Sequence, residues 1–106
     1  MFFELREYHC WPGKRAEWVK MMEEEIIPYQ IAKGMVIAGS FVGEQDEDTY
    51  IWIRRFESEE ERERLYQAVY QNDYWQKEVS PRVGELIDRS KIKVTRLIAT
   101  PKSVLR

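Results

Sequence analysis

The sequence predicts one α+β domain in the order strand, helix, strand, strand, helix, strand, and three observations lead there. Short aromatic and β-branched stretches occur near the start, middle and end of the chain, with the alternating polarity of half-buried strands. Longer stretches between them carry apolar residues at three- and four-residue spacing, the pattern of helices with one buried face. A chain of 106 residues, 43% hydrophobic and 34% charged, has the composition and length for a single globular core.

Phe2 to Cys10 reads as the first strand and is ended by Trp11-Pro12-Gly13. A helix starts near Arg15, with Ala16, Val19, Met22 and Ile26 in one stripe. Pro28 lacks a backbone donor, so a kink or restart is expected near Ile27. Gly34 suits the left-handed stop of that helix. Met35 to Gly43 forms the second strand, where Gly39 marks a bulge or a close backbone approach. Across the polar turn Glu44 to Asp48, the third strand runs from Thr49 to Phe56, and the pair reads as a hairpin. Ser58 and Glu61 form a capping box, and Glu59-Glu60-Glu61 suits the positive end of a helix dipole. That helix turns Leu65, Ala68 and Val69 inward and breaks at Asn72-Asp73. A further helical stretch carries Trp75, Val79, Val83, Leu86 and Ile87, with Pro81 and Gly84 as irregularities. Lys91 to Ala99 is the last strand, with Ile92, Val94 and Ile98 on one face and Arg96 interrupting it. Residues 1–100 are thus the expected domain and residues 101–106 a short basic tail.

With right-handed crossovers, this order gives the ferredoxin-like βαββαβ sandwich, a four-stranded antiparallel sheet with helices on one face. If Ile51 and Ile53 face the helices, alternation puts Tyr50, Trp52 and Phe56 on the far side. Three aromatics at ~150–250 Å² each exceed the apolar patch a monomer usually exposes. A homodimer through the sheet face, closing a dimeric α/β barrel, is the expected cover.

Composition narrows the function. Lys and Arg number 17 against 19 Asp and Glu, a net charge of -2, so no nucleic-acid partner is expected. No apolar run reaches the roughly 18 residues of a membrane span, and no signal-peptide core follows Met1. A lone Cys10 requires no oxidising compartment and reads as a buried, inert thiol, so a cytoplasmic protein is expected. One histidine and no cysteine pair leave no metal set. No phosphate loop, nucleophile elbow or dinucleotide fingerprint is present, and no cofactor is expected.

Glu4, Arg6 and Tyr8 share one face of the first strand. With Leu5 toward the helices, they would line the barrel interior beside Tyr50, Trp52 and Arg54. Such a lining suits a planar or anionic small molecule: a guanidinium fits a carboxylate or enolate, and an indole offers a flat apolar wall. The same charges can instead pair structurally with one another across the sheet or the dimer interface. His9, the only imidazole, and Tyr8 are the candidate catalytic groups, because a group titrating near neutrality can abstract a proton. His9 has no acid at matching spacing, and a structural histidine is the other reading. Trp75 reads either as core or as a lid beside the cavity.

The run Phe3-Glu4-Leu5-Arg6-Glu7-Tyr8, followed by Pro12-Gly13-Lys14 and a helix with Trp18, resembles the start of NIPSNAP proteins. Trp52-Ile53-Arg54-Arg55-Phe56, then Ser58 and the Glu59 to Arg64 helix start, then Trp75, is similar to that family's later half. The resemblance spans Phe2 to about Leu97 and rests on the ordered set, not on one motif. It implies a dimeric α/β barrel, in a superfamily that includes cofactor-free quinone-forming monooxygenases, haem-degrading proteins and small isomerase-like enzymes. It implies no secure activity and no catalytic set. Eukaryotic members are linked to mitochondria and to trafficking or signalling, and this chain, with no presequence, resembles the compact bacterial type. Two functions stand open: a dimer that binds a small planar or anionic molecule, extending to a cofactor-free monooxygenase- or isomerase-like enzyme, and a non-enzymatic protein-interaction or scaffold module.

Overall fold

Four strands, β1 (Phe2–His9), β2 (Val36–Val42), β3 (Thr49–Phe56) and β4 (Lys93–Leu97), make one sheet in the computed structural model, which describes residues 1–106. Their order is β2-β3-β1-β4, and every neighbouring pair is antiparallel. Helices α1 (Arg15–Met21) and α2 (Ile27–Ala32) lie between β1 and β2, and α3 (Glu59–Tyr70) and α4 (Ser80–Leu86) between β3 and β4. This is the ferredoxin-like arrangement predicted from the element order. No helix is long and apolar enough to cross a membrane.

Local chemistry sets the boundaries. The Ser58 hydroxyl accepts from the Glu61 backbone N–H at 3.1 Å, while the Glu61 carboxylate accepts from Glu57 N–H at 3.0 Å, so the start of α3 is fixed from both sides. In place of the kink or restart expected near Ile27, the helix runs on from Arg15 to Ala32 through a π-helical turn, Met22–Ile26, and this widened turn just before Pro28 accommodates its missing backbone donor. A second π-helical turn, Tyr74–Val79, precedes α4. Gly34 has φ +107° beyond the end of α2, and a Cβ there would lie 3.1 Å from Leu65 Cδ2. The β2–β3 register shifts between Ile37 and Gly39. The Phe41 ring lies across Gly39, 2.5 Å from where a Cβ would be, so a side chain there would displace that exposed ring.

Three expectations need correction. The last strand is shorter than Lys91 to Ala99, because Asp88 accepts from Ser90 N–H and winds Arg89–Lys91 into a 3₁₀ turn. Ala16 and Ala68 are exposed; α1 instead buries Trp18 and Met21, with Met22 and Ile26 following in the π turn, and α3 buries Leu65 and Val69. The largest correction concerns the sheet. Tyr50, Trp52, Arg54 and Phe56 are all buried beneath the protein's own helices, and Ile51 and Ile53 lie half-buried on the open face.

The register explains the inversion. On the helix side, β1 and β3 pair Phe2 with Phe56, Glu4 with Arg54, Arg6 with Trp52, and Tyr8 with Tyr50. Leu5, opposite Ile53, therefore lies on the open side. Large aromatics at roughly 150–250 Å² each gain more from the deep helix–sheet interface than two isoleucines would. Two apolar clusters result. One gathers Tyr8, Trp18, Met22, Tyr50, Trp52 and Ile87; the other gathers Phe2, Met35, Phe56, Leu65 and Val69. The Glu4–Arg54 pair lies between them in the register.

Substitution of Gly34 by alanine should destabilise the domain by about 1–2 kcal/mol, since the left-handed backbone and the Leu65 contact both resist a methyl group. Urea denaturation of the two proteins measures this, with an unchanged slope expected.

Candidate functional site

Between the helix side of the sheet and the helices lies a cavity of about 360 Å³. Its floor comes from the central strands through Arg6, Tyr8 and Trp52, and its walls include Trp18, Tyr70 and Trp75. Both π-helical turns contribute: Met22 and Ile26 come from the first, Trp75 and Gln76 from the second. A π turn displaces the side chains that follow it, and such turns recur at functional sites. No Asp, Glu or His side chain lines the cavity.

The deepest polar group beside it is a buried charge network. Arg54, 0% exposed, donates from Nη2 to Glu4 Oε1 at 2.6 Å and to Tyr66 Oη at 2.5 Å, and from Nη1 to Gln30 Oε1 at 3.0 Å and Tyr70 Oη at 2.8 Å. Tyr66 donates to Glu4 Oε1 at 2.6 Å, and Arg62 Nε reaches Glu4 Oε2 at 3.1 Å. The Arg54 guanidinium also lies over the Trp52 ring at 4.6 Å and the Tyr66 ring at 4.9 Å. Burial alone would raise the Glu4 carboxyl. The Arg54 charge and the hydrogen bonds from Tyr66, Arg54 and Arg62 outweigh it and hold the carboxyl at about 2. Burial drives the Tyr66 phenol upward, so it remains a neutral donor.

Arg6 and Tyr8 stand at the edge of this network. Arg6 Nε donates to Tyr8 Oη at 2.8 Å, and Nη1 points to Tyr66 Oη at 3.4 Å and lies 3.7 Å from Glu4 Oε1. Burial raises the Tyr8 phenol despite Arg6, so Tyr8 is neutral. Its oxygen accepts from Arg6, and its proton has no acceptor in the protein. Tyr70 is in the same condition: Arg54 and Gln30 both donate to its oxygen, at 2.8 and 3.2 Å. The indole N–H groups of Trp18 and Trp52 are buried without partners as well. A cavity walled by aromatic rings therefore holds several unspent donors and two guanidiniums, Arg6 and Arg89, the complement of a flat molecule with an acceptor oxygen.

Of the residues expected to form a site, Arg6, Tyr8 and Trp52 line this cavity, Glu4 and Arg54 belong to the ion network beneath it, and Tyr50 is set behind the wall. Tyr50 pairs with Ser40 Oγ at 2.6 Å, and burial lifts its phenol to about 12. The cavity lies under one chain's own helices, not between two sheets, because the faces of β3 are inverted relative to the expectation. His9 is elsewhere. It sits on the open face with its Nε2 3.4 Å from Glu7 Oε2, and it does not line the cavity. Burial pushes the Cys10 thiol to about 11. No three His, Cys, Asp or Glu side chains converge as metal ligands would. Sequence reasoning did not single out Tyr70, Gln30 or Arg89. Tyr66 and Tyr70 lie four residues apart, a spacing that stacks both on one face of α3, and that signal was present.

Sheet order, two-helix crossovers and a cavity beneath them define a ferredoxin-like α+β domain. The NIPSNAP family model matches residues 3–102, and the chain belongs to the NIPSNAP family. Among solved structures, it is similar to a NIPSNAP family protein (Atu5224) from Agrobacterium tumefaciens, 27% identical with TM-score 0.86, covering 99% of this chain and 98% of that one. The protein Atu4242 of the same organism is 22% identical with TM-score 0.89, and the match covers 100% of both chains. An antibiotic biosynthesis monooxygenase shares the fold at 13% identity and TM-score 0.65, over 95% of this chain and 100% of that one. No curated protein matches the chain.

Glu4 ties folding to acidity. Its folded value of about 2 lies below its ordinary 4.5, so its stabilisation is complete above pH 4.5 and is lost as pH falls toward 2. The loss should be on the order of 3 kcal/mol. Thermal melts from pH 6 to pH 2 should show this decline, and Glu4→Gln should lower the melting temperature at neutral pH and flatten the acid limb.

Proposed function

We propose that this protein binds a small, planar, anionic molecule in the cavity between its sheet and its helices. The observation that carries this reading is the charge balance at the floor. Arg6 and Arg54 are in contact with a single carboxylate, Glu4, while Arg62 has Glu59 as a second partner at 3.3 Å. Positive charge thus exceeds negative at the floor, with the half-buried Arg6 only loosely paired to a carboxylate that Arg54 holds more closely, and an anion entering there would be favoured. The flanking rings of Trp18, Trp52 and Trp75 supply flat apolar area, and the volume suits a molecule of one or two rings. Titration with benzoate, salicylate and 4-nitrophenolate at neutral pH should quench the fluorescence of these tryptophans. Silence from all three at millimolar concentration would remove the reading.

The working unit of this reading is a homodimer through the open sheet face. Leu5, Ile51 and Ile53 lie there with no helix above them, and Phe41 is 55% exposed beside them. The C-terminal residues cover only one corner, where Ile98 and Leu105 approach Phe3 and Ile53. Such an apolar strip on a central sheet is what a symmetric partner covers. Light scattering should give twice the chain mass, and Phe41→Glu or Ile53→Glu should give the single-chain mass with the helical circular dichroism retained.

A further inference from the structure

Deepening the ligand reading just given, and resting on it, we infer that the cavity selects a molecule with two acidic groups on one flat body, the first met by Arg6 at the floor and the second by Arg89 at the mouth. Arg89 carries this. It lines the cavity yet is exposed, so it stands where the hollow opens to water. Both ends of its side chain are placed. The Asp88 backbone N–H donates to the His9 carbonyl at 2.9 Å, and the Asp88 carboxylate accepts from Ser90 N–H at 3.0 Å and Ser90 Oγ at 2.7 Å, which ties the turn Arg89–Lys91 to the end of β1. Arg89 Nη2 then donates to the Ser80 carbonyl at 2.8 Å and to Ser80 Oγ at 2.9 Å, at the start of α4. The guanidinium lies across Gly84, where a Cβ would come within 2.6 Å of Nη1 and displace it.

No carboxylate of the protein uses the charge so placed. Every ion pair in the chain involves another cation. Arg82, on the same helix as Ser80, is taken up by Glu25 through two contacts at 2.9 and 2.8 Å. Arg89 has no such partner, and its Nε and Nη1 make no hydrogen bond within the protein. A surface ion pair is weak largely because two flexible side chains must be held in one geometry while water competes for both. Here one partner is already held, so less ordering remains for an incoming anion to meet. Arg6 offers the other contact: its side chain is 18% exposed, its Nη2 is free, and Glu4 lies 3.7 Å away. The rest of the lining is mostly apolar, so the body that joins the two acidic groups is a ring or a short apolar frame. Carboxylate, phenolate and enolate all meet these terms; what Arg89 reads is the presence of a second charge.

Benzoate, isophthalate and terephthalate test this through quenching of the cavity tryptophans at neutral pH and fixed ionic strength. At least one of the two dianions should bind about fivefold more tightly than benzoate, where two equivalent ends would by themselves give only about twofold. Arg89→Ala should bring that advantage down to about twofold, the loss falling on the dianion, and Arg89→Lys should keep part of it. If neither dianion exceeds benzoate by more than about twofold, or if the advantage persists in Arg89→Ala, the inference is wrong while the binding reading survives. If Arg89→Ala weakens benzoate as much as the dianions, Arg89 holds a first acidic group and the inference is overturned. If none of the three binds, both readings fall.

Discussion

The pairing of Glu4 with Arg54 in the middle of the sheet constrains everything around it. Two opposite charges with almost no access to water need their donors and acceptors engaged, and of the Arg54 and Glu4 side-chain atoms only Arg54 Nε is left without a partner. That need explains why two tyrosines from α3, a glutamine from α2 and a second arginine converge on one point. The convergence ties α2 and α3 to the central strands by polar contacts, between two apolar clusters that do the same by packing. Register follows as well: a slip of one residue in β1 would move Glu4 to the open face and leave Arg54 alone beneath the helices.

The network also leaves residual chemistry. Because its hydrogen-bond donors outnumber its acceptors, the surplus accumulates at its rim, where Arg6, Tyr8 and Tyr70 meet the cavity. Structure and site are therefore one arrangement. The charges that appear in the sequence as a choice between ion pairs and ligand groups divide by position: Glu4 and Arg54 serve the fold, and Arg6 stands between fold and cavity.

Much of the architecture was legible in the chain. Ser58 with Glu61, Pro28, Gly34 and Gly39 each act through local geometry, and each lies where that geometry is needed. The side of the sheet was not legible. Alternation along β3 separates Tyr50, Trp52 and Phe56 from Ile51 and Ile53, but both sets are apolar, and periodicity alone cannot say which one the helices cover. The tie is broken by distant residues, Trp18 on α1 and Tyr66 and Tyr70 on α3, whose contacts with that face exist only after folding. The site inherited the error. Its strand residues were identified by parity, and the chamber was assigned to the wrong side of the sheet.

The two π-helical turns have a consequence for how such a chamber arises. A π turn amounts to one residue more than an α-helix of the same span needs, so the surplus is absorbed locally and the helix beyond it keeps its facing. Were the same residues wound as plain α-helix, Gln30 would lie about 100° further round the axis and away from the sheet, and Val83 would be turned likewise after the second turn. The hollow thus depends on where each helix widens as much as on side-chain identity.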